Sequence, residues 1–219
     1  MARRLSTTTA AALATTAALL LTACGAGGAA SGDTAAADHG SSSPSPSASA
    51  ASAVKRPVIK LPAGFRLTFE NWTSSDPVEQ AVLDDGKEEL RAGYAAIIAN
   101  DPGSEAVAFY DTEGVRGQTS QWIKSYTDKD LTVIGKLLAF SPKVTVAANG
   151  KAASLTYCTD ESDAKTRNRK TSKVEGNPAG TNPFVLYSLS LAKSEQGVWQ
   201  NSSVHGERGK CAGPRAGGL

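Results

Sequence analysis

The chain has 219 residues, with 23 Lys plus Arg against 21 Asp plus Glu, two histidines and three cysteines. Counted from Leu61 onward the balance is 18 basic to 19 acidic side chains, which excludes a dedicated nucleic-acid binder, since such domains are strongly basic. With His205 the lone histidine of that region and its cysteines far apart, zinc-type ligand spacing is missing; no metal, no cofactor and no internal repeat are expected.

Residues 1–23 read as a secretory signal peptide. Arg3 and Arg4 give a positive start, and Ala10 to Leu21 an apolar run broken only by Thr15 and Thr16, ending in the small residues Thr22 and Ala23. The run is rich in Ala and Thr and barely long enough to span ~30 Å of hydrocarbon, so a permanent membrane helix is the weaker reading. Leu21-Thr22-Ala23-Cys24 resembles a bacterial lipobox. The resemblance implies a diacylglyceryl group on the Cys24 thiol and a mature chain that begins there, with two acyl chains giving a stable anchor. The expected location is the extracellular face of the cell membrane.

Residues 24–60 are mostly Ala, Ser, Gly and Pro, including SSSPSPSASAASA at 41–53, and offer almost nothing to bury; they read as a flexible linker. Residues 61–219 are long enough for one domain with its own core. Once Cys24 carries lipid, Cys158 and Cys211 form an even pair outside the cytoplasm and are expected to be disulfide-bonded.

The first element is a helix from Asp76 to about Gly103. Asp76 caps it, Pro77 suits the first turn, Glu79 closes a capping box and Asn100-Asp101-Pro102-Gly103 stops it, while Gly86 marks a weak point or bend. Val82, Leu83, Leu90, Tyr94, Ile97 and Ile98 approximate one apolar face. EAVAFY (105–110) and TSQWIKSY (119–126) predict two short helices separated by Gly114 and Gly117. After Asp130 the period changes to two. VTVAANGKAASLTYC predicts a hairpin about Asn149-Gly150, with Val146 opposite Ala153 and Val144 opposite Leu155. Leu131 to Phe140 begins the same long strand, bent near Ser141-Pro142. Residues 184–193 and 198–205 predict a second hairpin.

Helices followed by strands predict an α+β domain, with N-terminal helices packed on a curved four-stranded antiparallel sheet. The order of elements resembles the nuclear-transport-factor-2-like, or SnoaL-like, cone. FENW at Phe69, AFYD at Ala108, YCTDES at Tyr157, FVLYSL at Phe184 and GVWQ at Gly197 with Cys211 resemble small secreted lipoproteins of Streptomyces-type actinobacteria, over residues 65–211.

Cone folds often enclose a pocket between helices and sheet, into which a Tyr, Asp or His projects in isomerases and dehydratases. Placement near strand ends makes Tyr157, Asp160, Tyr187, Trp199 and His205 the candidates here, although core tyrosines and an exposed histidine explain the same residues. Lys165, Arg167, Arg169, Lys170 and Lys173 form an acid-free basic run, a candidate anion-binding segment or a solvated loop between the hairpins. No catalytic constellation is evident. The leading expectation is therefore a noncatalytic, membrane-tethered binding or accessory module, its partner a small hydrophobic ligand or an envelope protein. The alternatives are a cone-fold enzyme on a small hydrophobic substrate, or an adaptor to envelope polyanions.

Overall fold

A computed structural model describes residues 54–213; the signal peptide, Cys24 and most of the expected linker lie outside the described residues. The elements are β1 (Phe65–Phe69), α1 (Pro77–Ala99), α2 (Glu105–Tyr110), α3 (Glu113–Thr127), β2 (Leu131–Val146), β3 (Ala152–Asp160), β4 (Ala164–Asn168), β5 (Val174–Glu175), β6 (Phe184–Lys193) and β7 (Trp199–Arg208).

Helix α1 begins and ends where its punctuation dictates. The Asp76 carboxylate accepts from the backbone N–H of Val78 and Glu79, and Asn100 closes the other end in the left-handed region at φ 61°. The Glu79 carboxylate accepts from the Ser74 hydroxyl at 2.7 Å, so it braces the entering loop. Gly86 does not interrupt the helix. A Cβ there would lie 2.6 Å from Leu155 Cδ2, so glycine is what lets α1 approach the sheet. Helix α3 likewise runs through Gly114 and Gly117 and is longer than 119–126.

The sheet has seven strands among the described residues rather than four, in the order β5-β4-β2-β3-β6-β7, with β1 joined to β2 off this path. The β2–β3 hairpin has the expected register, Val144 opposite Leu155 and Val146 opposite Ala153, and its ladder shifts between Phe140 and Lys143, where Ser141 adopts φ 52°. Three strands were not anticipated. β1 pairs in parallel with β2, Phe65 opposite Gly135. The basic run expected as a loop forms β4, antiparallel to the first half of β2, and turns into β5. Strands β3 and β4 thus form one return path along β2, broken at Glu161 to Asp163. The break sits against Gly135, at φ 90°, where a Cβ would lie 2.1 Å from the Asp163 carbonyl oxygen.

Strand alternation sends Leu155, Tyr157, Leu189 and Leu191 to the face shared with Val82, Leu83, Leu90 and Ile97 of α1, and these residues are buried in one core. Cys158, one residue on from Tyr157, points the other way. Its bond to Cys211 closes a span of 53 residues and ties the segment after β7 across the outer face, beside the edge-to-face pair Phe140 and Phe184. The expected boundary at residue 60 falls within a docked segment. Val54 and Ile59 pack against the core, and Arg56 forms an ion pair with Asp85 of α1.

Candidate functional site

The five candidate pocket residues do not converge. Tyr157 and Tyr187 are cross-strand partners with stacked rings, 5.4 Å between centroids. Both phenols are pushed well up by burial and are neutral donors. The Tyr187 hydroxyl donates to Glu161 Oε1 at 3.5 Å, and Arg208 holds the other Glu161 oxygen at 2.6 Å. Trp199 is buried elsewhere, its backbone N–H donating to Asp85 Oδ2 at 2.8 Å. Asp160 accepts from the backbone N–H of Ser162 at the end of β3, and His205 is exposed, 3.8 Å from Glu207.

Aromatic side chains occupy the concave face where a cone pocket was expected. Trp72 touches Tyr157 at 5.1 Å and Phe69 at 5.0 Å, while Tyr94 touches Phe65 at 5.0 Å and Trp122 at 5.6 Å. Among the described residues, no group of three or more His, Cys, Asp or Glu is placed to hold a metal, and no helix is long and apolar enough to cross a membrane. The basic run is largely engaged. Arg169 donates to the carbonyls of Ile97 and Ile98 at 2.7 and 2.9 Å, closing the C-terminus of α1; Lys170 pairs with Asp130 and Lys173 with Glu175. Lys165 and Arg167 are exposed on β4.

The polar groups that do converge lie between α1, the α2–α3 junction and β7. Asp85, buried, and Glu89, half-buried, are one turn apart on α1 and form two levels of an acidic column. At the first level Asp85, 2% exposed, has a counter-ion in Arg56 and a donor in the Trp199 N–H. Burial still raises its pKa against both. This level lines an open groove of about 480 Å3 whose rim carries Arg56, Asp84, Lys87, Glu88 and Arg91.

At the second level the Asn201 amide donates to Glu89 Oε1 at 3.4 Å and to Asp111 Oδ1 at 3.3 Å. The Thr112 N–H bonds the Asn201 carbonyl at 2.8 Å, fixing the α2–α3 junction to β7. Burial, then the charge of Asp111, pushes Glu89 up to about 8, so it is protonated at neutral pH. Asp111 is raised by burial as well. Tyr157 lies near enough that the Glu89 charge raises its own pKa further. The Thr119 hydroxyl lies against the Asp111 carboxyl and the Tyr110 hydroxyl against Arg56, while Asn201 Oδ1 and Trp199 Nε1 are buried with no hydrogen-bond partner. One signal in the sequence pointed here: Glu89 follows Val82 by seven residues, two turns on, and so lies on the inward side of the helix, where it is half-buried.

No protein-family model and no curated protein matches the sequence. Solved structures are similar in shape. A ketosteroid isomerase-like protein from Erwinia carotovora atroseptica is 15% identical at a TM-score of 0.38, covering 57% of this chain and 94% of its own. ActVI-ORFA from Streptomyces coelicolor is 12% identical at 0.40, covering 62% and 100%. The intermembrane space region of the chloroplast protein ARC6 is 11% identical at 0.41, covering 59% and 95%. Likeness at this level carries no inference about activity; the domain is α+β, with a curved, mainly antiparallel sheet.

Proposed function

We propose that the chain is a lipid-anchored extracytoplasmic protein whose domain takes a small molecule at the acidic column between α1 and β7. The anchor is supported by the sequence Leu21 to Cys24 behind an apolar run. The observation that carries the site is the Glu89–Asn201–Asp111 bridge, in which the fully buried Asn201 joins two carboxyls and its Oδ1 is left without a partner. Binding without turnover accords with the aromatic filling of the concave face, which leaves a hydrophobic substrate little room beside Tyr157. A thermal-shift screen of small molecules on the full chain tests this: ligands should raise the melting temperature of the parent and not of Asn201→Ala. Stabilisation that is equal in both chains removes the site. For the anchor, Cys24→Ser should move the protein from the membrane fraction to the medium, and full retention on membranes refutes lipidation.

Catalysis of the isomerase or dehydratase type is the second reading. It is favoured by one observation, a carboxyl protonated at neutral pH beside a neutral tyrosine, which together supply a general acid and a hydrogen-bond donor. Turnover of a panel of hydroxy and keto compounds, abolished by Glu89→Gln with binding retained, would support it. Adaptation to envelope polyanions is the third, reduced by the internal partners of Arg169, Lys170 and Lys173.

A further inference from the structure

Strand register gathers a separate set of charges on the outer face of the sheet, away from α1. Arg66 of β1 lies opposite Lys136 of β2, and on the other side of β2 Lys165 and Arg167 of β4 lie opposite Ile134 and Thr132. Alternation with the buried Leu67, Val133 and Leu137 turns all four basic side chains outward, where they are exposed. None of the four has an ion pair among the described residues. The acids around them are engaged elsewhere: Asp130 by Lys170, Glu175 by Lys173, Glu161 by Arg208 and Asp160 by Ser162. Asp163, whose carbonyl oxygen accepts from the Lys136 N–H, forms no ion pair with any of the four. Like charges on facing strands repel, so this part of the sheet carries a destabilising arrangement that no described residue relieves.

We infer that this face of β1, β2 and β4 is a docking surface for the anionic phospholipid headgroups of the membrane that holds the anchor, so that the domain lies against the bilayer. The inference rests on the lipidation of Cys24 proposed above and adds a second contact to it. Fewer than about 30 residues separate Cys24 from Val54, and an extended chain covers at most ~3.3–3.6 Å per residue, which keeps the domain within roughly 100 Å of the bilayer. A tether of that reach makes docking an intramolecular event, and each Lys or Arg brought to an anionic surface strengthens it about fivefold. A lipid surface is favoured over a soluble polyanion by the segment that leads into β1. There Lys55 and Lys60 are exposed on either side of Val58, which is 84% exposed and supplies an apolar side chain to the headgroup layer.

The test places the lipidated full chain in phosphatidylcholine vesicles, with or without phosphatidylglycerol, and follows the acylation of individual lysines by mass spectrometry. With phosphatidylglycerol, Lys136 and Lys165 should react at least about fivefold more slowly than in neutral vesicles, and the difference should vanish in about 0.5 M salt. Lys151 and Lys193, beyond the far end of β2, should be unchanged. Arg66→Gln combined with Arg167→Gln leaves both reporters in place, weakens docking about 25-fold and should return them to the neutral-vesicle rate. The melting temperature of that variant should equal or exceed the parent's, because no ion pair is lost. Equal rates in the two kinds of vesicle overturn the docking face and leave the anchor standing. A Cys24 without diacylglyceryl overturns the anchor, and the inference with it. Slowing of all lysines alike is a general surface-potential effect and overturns the inference too. Protection by added polyphosphate in neutral vesicles, with none from phosphatidylglycerol, would make the partner a soluble polyanion and sink the membrane assignment.

Discussion

Glu89→Gln should make the protein more stable at alkaline pH while leaving it nearly unchanged at mildly acid pH. In the folded chain Glu89 keeps its proton to about 8, against about 4.5 for an ordinary glutamate. Between those values the folded state binds more protons than the unfolded one, so stability falls as pH rises and levels off above 8. Each pH unit in that window costs about 1.36 kcal/mol, which sets a ceiling of roughly 5 kcal/mol. Glu89 is only partly buried, and water reaching the carboxyl reduces the expected cost to about 2–3 kcal/mol. Glutamine keeps the shape and the contact with Asn201 but does not titrate. Asp111, shifted in the same direction, is common to both chains, so their difference isolates Glu89. Urea unfolding followed by the fluorescence of Trp72, Trp122 and Trp199, from pH 5 to 8.5 in choline chloride, measures it. The curves should lie within about 1 kcal/mol of each other at pH 5 and separate by about 2–3 at pH 8.5. Parallel curves would refute the placement of Glu89 in a poorly solvated acid pair.

Cys211→Ser opens a span of 53 residues and should cost about 4 kcal/mol, lowering the melting temperature by roughly 8–16 °C in scanning calorimetry; a fall of 2 °C or less contradicts that cross-link's contribution. Gly135→Ala puts a methyl group 2.1 Å from the Asp163 oxygen at a positive φ, and should destabilise by more than about 2 kcal/mol in denaturant titration. Arg56→Met leaves Asp85 buried with one backbone donor; since the arginine is partly exposed, a loss of about 1–2 kcal/mol is expected, and hydrogen exchange should quicken at the Trp199 amide. Unchanged exchange there would mean that the first segment does not hold β7 to α1.

What local chemistry fixes was legible. The Asp76 and Asn100 caps, the Asn149-Gly150 hairpin register and the even count of cysteines beyond Cys24 each depend on residues close in sequence or on simple parity. What depends on distant chain was not. β1 pairs in parallel with a strand 70 residues further on, and nothing in FRLTF announces that partner. β4 reads as charged because its ladder uses backbone groups, while Lys165 and Arg167 face outward. Gly86 looked like a helix weakness because its neighbour, Leu155, comes from β3. The acidic column was hidden for the same reason: Glu89, Asp111 and Asn201 stand on separate elements, and their shared burial is a product of the fold.

The Cys158–Cys211 bond turns β4, β5, β6 and β7 into part of a covalent ring. The exposed stretch 169–180 within that ring is where a protease would find its first foothold. A cut there sheds nothing, because both new ends remain joined through sulfur and β6 stays zipped between β3 and β7. The nicked molecule travels as a single species until a reductant separates it.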